Sequence, residues 1–296
     1  MGDLAVEALS ALVPGGANRG ELDRGGRMLR WIAAGDGAGP VVVLGTGLGE
    51  MSLDWVPVLP ALAAAGPVVA YDRAGLGASD PVQPLTLRDE VDDLAAVLAE
   101  VGPAVVVGHS WGGLLAQLVA FEHPERVAGL VLVDPSHEEV WASVPWWLRA
   151  LEKAYAIRSA LTTVLGLSKR SAARNARRLA TAPSFVEAYA TYYASPRHVR
   201  TGKAETRLVR SCPPYVRQVR ATAALPDVPV IVLSATTGLP ARFRSRFTAI
   251  HARLAASAPR GRQIVVADAG HYIHHQQPDV VVQAIADVRA AIEPHA

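Results

Sequence analysis

The chain has almost no cysteine: Cys212 is the single thiol in 296 residues. One thiol closes no intramolecular disulfide, and with no motif around it, just before Pro213-Pro214, Cys212 reads as structural. No run of 18 apolar residues occurs, so no transmembrane helix is expected. The basic segment of a secretory signal is missing as well. Asp3 and Glu7 stand where it would be, and Gly15-Gly16 breaks the apolar stretch early, so the expected location is cytoplasmic. Val6 occupies the place where N-myristoylation needs Ser or Thr. A more local absence matters later: no aspartate or glutamate occurs from Val228 through Ala267.

What is present is apolar. Half of the residues are hydrophobic, enough for a substantial core in one large domain or a domain with an insertion. The chain turns on Ala104 to Gly113. Val105-Val106-Val107 reads as a buried strand that runs into Gly108-His109-Ser110-Trp111-Gly112, and a helical stretch follows. Strand, sharp turn and helix are the context in which G-x-S-x-G marks a nucleophile rather than a chance Gly-rich turn. The turn forces Ser110 into a strained conformation, and a Cβ at Gly108 or Gly112 would clash with the neighbouring strand and helix. Serine is a weak nucleophile at its own pKa and needs a base. Of nine histidines, His271 stands out, because Gly270-His271-Tyr272 follows the last strand in a tight turn before the last helix. His109 reads as a packing or hydrogen-bonding residue. His274 and His275 belong on the first turn after His271, but no acid or further histidine stands at zinc-ligand spacing, so no metal is expected.

The remaining elements alternate. Leu22 to Ile32 reads as a hairpin turning at Gly25-Gly26, and Val41 to Leu44, Val68 to Tyr71, Val127 to Val133, Val228 to Leu233 and Gln263 to Ala267 read as strands. Trp55 to Ala64, Leu87 to Val101, Phe243 to Ala256 and Pro278 to Ile292 read as helices, and Leu4, Leu9, Leu12 and Val13 suggest a short amphipathic helix at the start. This alternation predicts an α/β fold with a mainly parallel sheet covered on both faces. Ligands of such sheets sit at the C-terminal ends of the strands, where Thr46, Asp72, Ser110, Asp134, Ser234 and His271 all fall. Gly45-Thr46-Gly47-Leu48-Gly49-Glu50 is not G-x-G-x-x-G, since Glu50 takes the last glycine's place, so a dinucleotide fingerprint is rejected.

From Ser136 to about Ala224 no β-like run occurs, and Trp141, Trp146 and Trp147 cluster near its start. This reads as an inserted helical lid over 136–224, with 1–135 and 225–296 forming the core. The segment holds 15 lysines and arginines against five acids, a net +10, while the rest of the chain carries −8. Such asymmetry is either a solvated helical face or a bias of the site toward anionic substrates. No nucleic-acid motif accompanies it, and the aromatics do not interleave with the charges.

Taken together, Gly108-His-Ser-Trp-Gly112, Gly270-His271, Asp72-Arg73-Ala-Gly-Leu-Gly-Ala-Ser79-Asp80 and the order of elements resemble the α/β-hydrolase superfamily over roughly 25–135 and 226–292. In that family the loop after the first central strand reads His-Gly-x-x-Gly; here Thr46 takes the histidine's place, leaving the bracing of the loop open. The resemblance implies an oxyanion hole built from the N–H groups of Leu48 and Trp111. It also implies a third triad member, which many relatives carry after the strand that follows the lid. That region is the acid-free one here. A minority of relatives carry the acid one strand earlier, which in this chain is Asp134, a residue that in other relatives only caps the entry to the lid. Asp268 stands too near His271 in sequence to reach the far ring nitrogen, and Asp72 is expected to tie its own loop to the sheet. The expectation is a serine hydrolase acting on a small-molecule ester or related acyl bond through Ser110, His271 and Asp134, with no cofactor. A thioesterase, a C–C hydrolase acting on an anionic metabolite, or a non-catalytic ligand-binding homologue are the alternatives. Epoxide hydrolases and haloalkane dehalogenases share the fold but carry Asp at the elbow.

Overall fold

The computed structural model describes residues 2–141 and 167–292. Trp146, Trp147, Arg149, Lys153 and Arg158 of the predicted lid lie outside them. The described residues build one eight-stranded sheet in the order β1-β2-β4-β3-β5-β6-β7-β8. Its strands are β1 (Ala17–Asp23), β2 (Met28–Ala34), β3 (Val42–Gly45), β4 (Val68–Asp72), β5 (Ala104–His109), β6 (Val127–Val133), β7 (Pro229–Ala235) and β8 (Arg260–Val266). β2 runs antiparallel to both β1 and β4, and every later pairing is parallel. The α/β-hydrolase architecture expected from the sequence is therefore present: a mostly parallel sheet with helices on both faces.

The helices are α1 (Gly2–Ser10), α2 (Leu59–Ala65), α3 (Leu87–Val101), α4 (Ser110–Glu122), α5 (Glu138–Trp141), α6 (Ser168–Leu179), α7 (Pro183–Tyr193), α8 (Pro196–Ser211), α9 (Pro213–Thr222), α10 (Ala241–Ala256), α11 (Ile273–Gln276) and α12 (Pro278–Ile292). Strand alternation sorts the core into two layers. Val105 and Val107 of β5 pack with Trp55, α1, α2, α7 and α12 on one face. Val106 packs with α3, α4, Val209 and Val216 on the other. Each of these fully buried valines stabilises the fold by about 1.5–3 kcal/mol relative to an exposed one. α3 begins where Thr86 and Asp89 cap one another's backbone N–H groups, at 3.1 and 2.9 Å, a capping box worth about 1 kcal/mol.

Several boundaries differ from the sequence reading: the hairpin extends from Ala17 to Ala34 rather than from Leu22 to Ile32, and two other starts shift for identifiable reasons. The helix expected from Trp55 splits into a short 3-10 turn, Ser52–Trp55, and α2 from Leu59. Pro60 is the reason for the later start: proline suits a helix's first turn, where no N–H is needed, and is excluded four residues further in. β8 begins at Arg260, three residues early, because it follows β7 as the outermost strand and its outer residues alternate between exposed and half-buried rather than apolar throughout.

No described helix is long and apolar enough to cross a membrane. Between Ser136 and Ala224 the described residues are helical, without a strand. Part of their positive charge is spent internally. Arg220 pairs with Glu138 at 3.0 Å and Lys169 with Glu187 at 2.6 Å, and Arg197 donates to the Gly77 carbonyl.

Candidate active site

Four loops at the C-terminal ends of the strands meet around Ser110. The first is the elbow between β5 and α4. Ser110 sits at φ +49°, a region that non-glycine residues occupy only where the surroundings over-determine them. The neighbouring glycines are required: a Cβ at Gly108 would lie 2.5 Å from the Gly112 carbonyl oxygen, and one at Gly112 would lie 2.5 Å from that of Thr46. The elbow therefore packs backbone to backbone against the loop after β3. Ser110 is itself the first residue of α4, so Trp111 is the second, and a helix's first four N–H groups have no intrahelical acceptor.

The second loop, after β3, carries Thr46 to Glu50. Leu48 occupies a turn closed by the Glu50 N–H on the Gly47 carbonyl at 3.1 Å. Arg73, at the end of β4, supplies the bracing that the missing histidine left open. Its guanidinium is buried and donates to the Thr46 carbonyl at 2.5 Å, the Gly47 carbonyl at 2.7 Å and the Thr46 hydroxyl at 3.0 Å. Glu205 of α8 holds Arg73 from behind at 2.8 Å and accepts the Gly49 N–H at 2.6 Å. His198 of the same helix donates to the Gly49 carbonyl at 2.9 Å. Both sides of Gly49 are thus held by α8. Asp72 performs the expected structural task, accepting from the N–H groups of Ser52 at 2.7 Å and Ala78 at 2.8 Å.

The third loop follows β8 and carries His271, and the fourth follows β6 and carries Asp134. The His271 Nε2 lies 3.0 Å from Ser110 Oγ, and its Nδ1 lies 2.7 Å from Asp134 Oδ2. Ser136 Oγ lies 3.5 Å from Ser110 Oγ. Asp134 is buried and strained at φ +41°. Burial by itself would push its carboxyl up, but the hydrogen bond and charge of His271, with Arg244 and His251 behind it, hold it well below the usual carboxylate range. Asp268 is exposed on its own turn. Cys212 is buried, and burial pushes its thiol up to about 12, which keeps it unreactive at neutral pH.

Sequence reasoning missed two arginines. Arg73 stands out in the sequence only as part of the motif from Asp72 to Asp80. Arg244, on α10, was not considered, although it is buried and its Nη1 donates to both Asp134 oxygens at 3.1 and 2.9 Å while its Nε holds the Thr237 carbonyl at 2.8 Å. No signal singles out Arg244 in the sequence: the acid-free stretch holds several arginines, and only the fold shows that this one is buried. Glu50, His109 and His274 were also not brought together by spacing, yet their ligand-type atoms lie within 4.8 Å of one another and all three are buried.

Arg244 makes a measurable prediction. A cation on Asp134 weakens the pull of its carboxylate on any positive charge placed on the neighbouring imidazole. Arg244→Met should therefore move the acidic limb of the kcat/KM profile to higher pH, while Arg244→Lys, which keeps the charge, should leave it in place. Identical limbs in both variants would show that Arg244 acts only by packing. Protonation of Asp134 does not confuse the result. Its carboxyl is depressed in the native state, so its contribution to stability is complete above about pH 4 and is lost only as the pH falls further.

A serine, an imidazole and a carboxylate in hydrogen-bonded sequence at the ends of parallel strands place the chain among α/β proteins with an elbow-borne hydroxyl. It belongs to the alpha/beta hydrolase family, which its sequence matches over residues 41–284. Bacillus subtilis AB hydrolase superfamily protein YfhM is 28% identical over 88% of this chain and 94% of its own length. Epoxide hydrolase A of Mycobacterium tuberculosis is 36% identical over 119 residues, 38% of this chain and 37% of that protein. Among solved structures, Cfl2 from Burkholderia cenocepacia superposes with a TM-score of 0.71 over 92% of this chain and 95% of that one, at 23% identity.

Proposed function

We propose that this hydrolase cleaves an ester or related acyl bond through an acyl-enzyme on Ser110. The observation that carries the reading is the unbroken row from Ser110 Oγ to His271 Nε2 at 3.0 Å and from His271 Nδ1 to Asp134 Oδ2 at 2.7 Å. In this reading His271 takes the serine proton during attack and returns it to the leaving group, and Asp134 fixes the tautomer and stabilises the imidazolium. The N–H groups of Leu48 and Trp111 receive the oxyanion of the tetrahedral intermediate, each contributing about 2.7–4 kcal/mol to the barrier reduction. Residues 136–224 form a lid over a core made of 1–135 and 225–296.

Epoxide opening is disfavoured by the chemistry of the nucleophile, whatever the name of the Mycobacterium tuberculosis relative. A carboxylate that opens an epoxide forms an ester, which water can then cleave. Ser110 would form an ether, which an activated water does not cleave under these conditions. Acyl transfer, in contrast, leaves an ester on Ser110 that the same imidazole can hydrolyse.

The test is a pre-steady-state burst with p-nitrophenyl esters of increasing chain length, neutral and carboxylate-bearing, beside an aryl epoxide. The expected result is one nitrophenolate per chain in the burst, sustained turnover after it, an acyl mass added to the peptide of Ser110, and no epoxide turnover. Turnover of the epoxide alone would overturn the reading, and ester binding without sustained turnover would make the protein a binder. If the lid charge selects anions, raised salt should lower kcat/KM for the carboxylate ester only.

A further inference from the structure

Ser110 is preceded by a histidine whose two ring nitrogens are both spoken for. His109 is fully buried. Its Nε2 lies 3.0 Å from the main-chain oxygen of His271, and a carbonyl only accepts, so Nε2 carries a hydrogen. Its Nδ1 lies 3.0 Å from Glu50 Oε2, and that oxygen already accepts the Gly47 N–H at 2.7 Å. An oxygen that accepts the Gly47 N–H at 2.7 Å is placed as the acceptor of the pair, so Nδ1 donates to it and carries a hydrogen too. We propose that His109 is a buried imidazolium that ties the loop after β3 to the main chain of His271, and that it is a positioning residue for the site.

The surroundings agree with this assignment. Burial would push the Glu50 carboxyl up, yet the charge and hydrogen bond of His109 bring it down to about 2, and His109 is raised above the ordinary histidine value by Glu50, the His271 carbonyl and Asp134 against the cost of burial. The described titratable groups facing it from neighbouring elements are His271, His274, His275 and Asp54. His274 is buried, neither of its ring nitrogens has a described partner, and burial and the three neighbouring histidines drive it well below its usual value. His275, whose Nε2 donates to the Asp54 carbonyl at 3.0 Å, is lowered by burial and by His109, and the buried carboxyl of Asp54 is raised to about 7 by burial and by Glu50. The ring of Tyr272 also lies against His109, at 5.3 Å. Glycine at position 47 is part of the same device, because a Cβ there would lie 2.7 Å from both Glu50 Oε2 and His109 Nδ1.

One residue therefore links three of the loops that meet at the site: the elbow through the chain itself, the loop of Leu48 through Glu50, and the loop of His271 through its carbonyl. The pair with Glu50 is neutral overall, so it adds no net charge beside the His271 ring, whose centroid is 4.7 Å away. The kinetic consequence rests on the serine-hydrolase reading, and the protonation state does not. A shift of 1 Å in a reacting group costs about 10²-fold in rate.

The experiment starts with uniformly ¹⁵N-labelled wild-type protein. Long-range imidazole spectra between pH 6 and 9 should show one histidine with both nitrogens protonated well above the ordinary pKa of about 6.5. That signal should vanish in His109→Gln and revert to a neutral imidazole in Glu50→Gln. A neutral His109 in the wild type overturns the proposal. So does a wild-type spectrum that changes on chelation with EDTA or on adding Co²⁺, because a cation held by Glu50, His109 and His274 would replace the Nδ1 proton. For the positioning role, His109→Gln should lower kcat by about 10–100-fold with KM within about twofold. Should that variant fail to fold, Glu50→Gln carries the same kinetic test. An unchanged kcat beside a confirmed imidazolium would overturn the positioning role. Failure of the serine-hydrolase reading itself would appear separately, as turnover that survives loss of Ser110.

Discussion

Ser110→Ala is expected to abolish sustained ester turnover while leaving the fold intact. In a comparable serine hydrolase, loss of the nucleophile alone lowers kcat by about 10⁶-fold, and what remains comes from the oxyanion donors and binding. The substitution removes one oxygen that bonds His271 and approaches Ser136, and no buried group depends on it alone. Alanine at φ +49° is no more strained than serine, so the midpoint of thermal unfolding should stay within a few degrees. Labelling by a fluorophosphonate probe should disappear with the activity. Undiminished labelling of the variant would move the nucleophile elsewhere, and Ser136, 3.5 Å away, is the residue to replace next.

Much of this arrangement was legible before any coordinates, for physical reasons that differ from element to element. β5 and β6 were readable because a strand buried on both faces is an uninterrupted apolar run, and Ser110 because its two glycines are demanded by backbone contacts that no other residue tolerates. His271 could be named from its place in a tight turn after the last strand. Asp134 was reached through an absence, the acid-free stretch after the lid. Arg244 and Arg73 could not be reached in this way. Each is one arginine among many, and only the folded chain shows which side chains are buried and which carbonyls they face. The same holds for His109 with Glu50, 59 positions apart, and for α8, whose Glu205 reaches back across 156 positions to Gly49. Pairing of charges across such separations leaves no periodic trace in a sequence. Local rules recover strands, turns and caps, and the bracing of the loops depends on contacts that those rules do not encode.

Asp134→Asn carries the second large effect and bears most directly on where the third member of the row lies. Asparagine keeps the size of aspartate and can still receive the Ala235 N–H, now found at 3.0 Å from Oδ1. It cannot hold the His271 ring in the same way. With an amide nitrogen facing Nδ1, the hydrogen is driven to Nε2, so the nitrogen nearest Ser110 becomes a donor and can no longer take the serine proton. In a serine-protease triad the equivalent change costs about 10⁴-fold in kcat, and a loss of that order with KM little changed is expected here. Arg244 sharpens the contrast with a purely structural role. In the variant its guanidinium loses the carboxylate that accepts two hydrogen bonds from it, at 3.1 and 2.9 Å. Some stability should therefore be lost together with activity, since an uncompensated buried charge is costly. The double variant Asp134→Asn, Arg244→Met should recover much of that stability and none of the activity. Recovery of both would mean that Asp134 serves only as the partner of Arg244. Asp268→Asn, three residues from His271 and exposed, should change kcat by less than about tenfold, and a 10⁴-fold loss there with Asp134→Asn active would move the acid to Asp268.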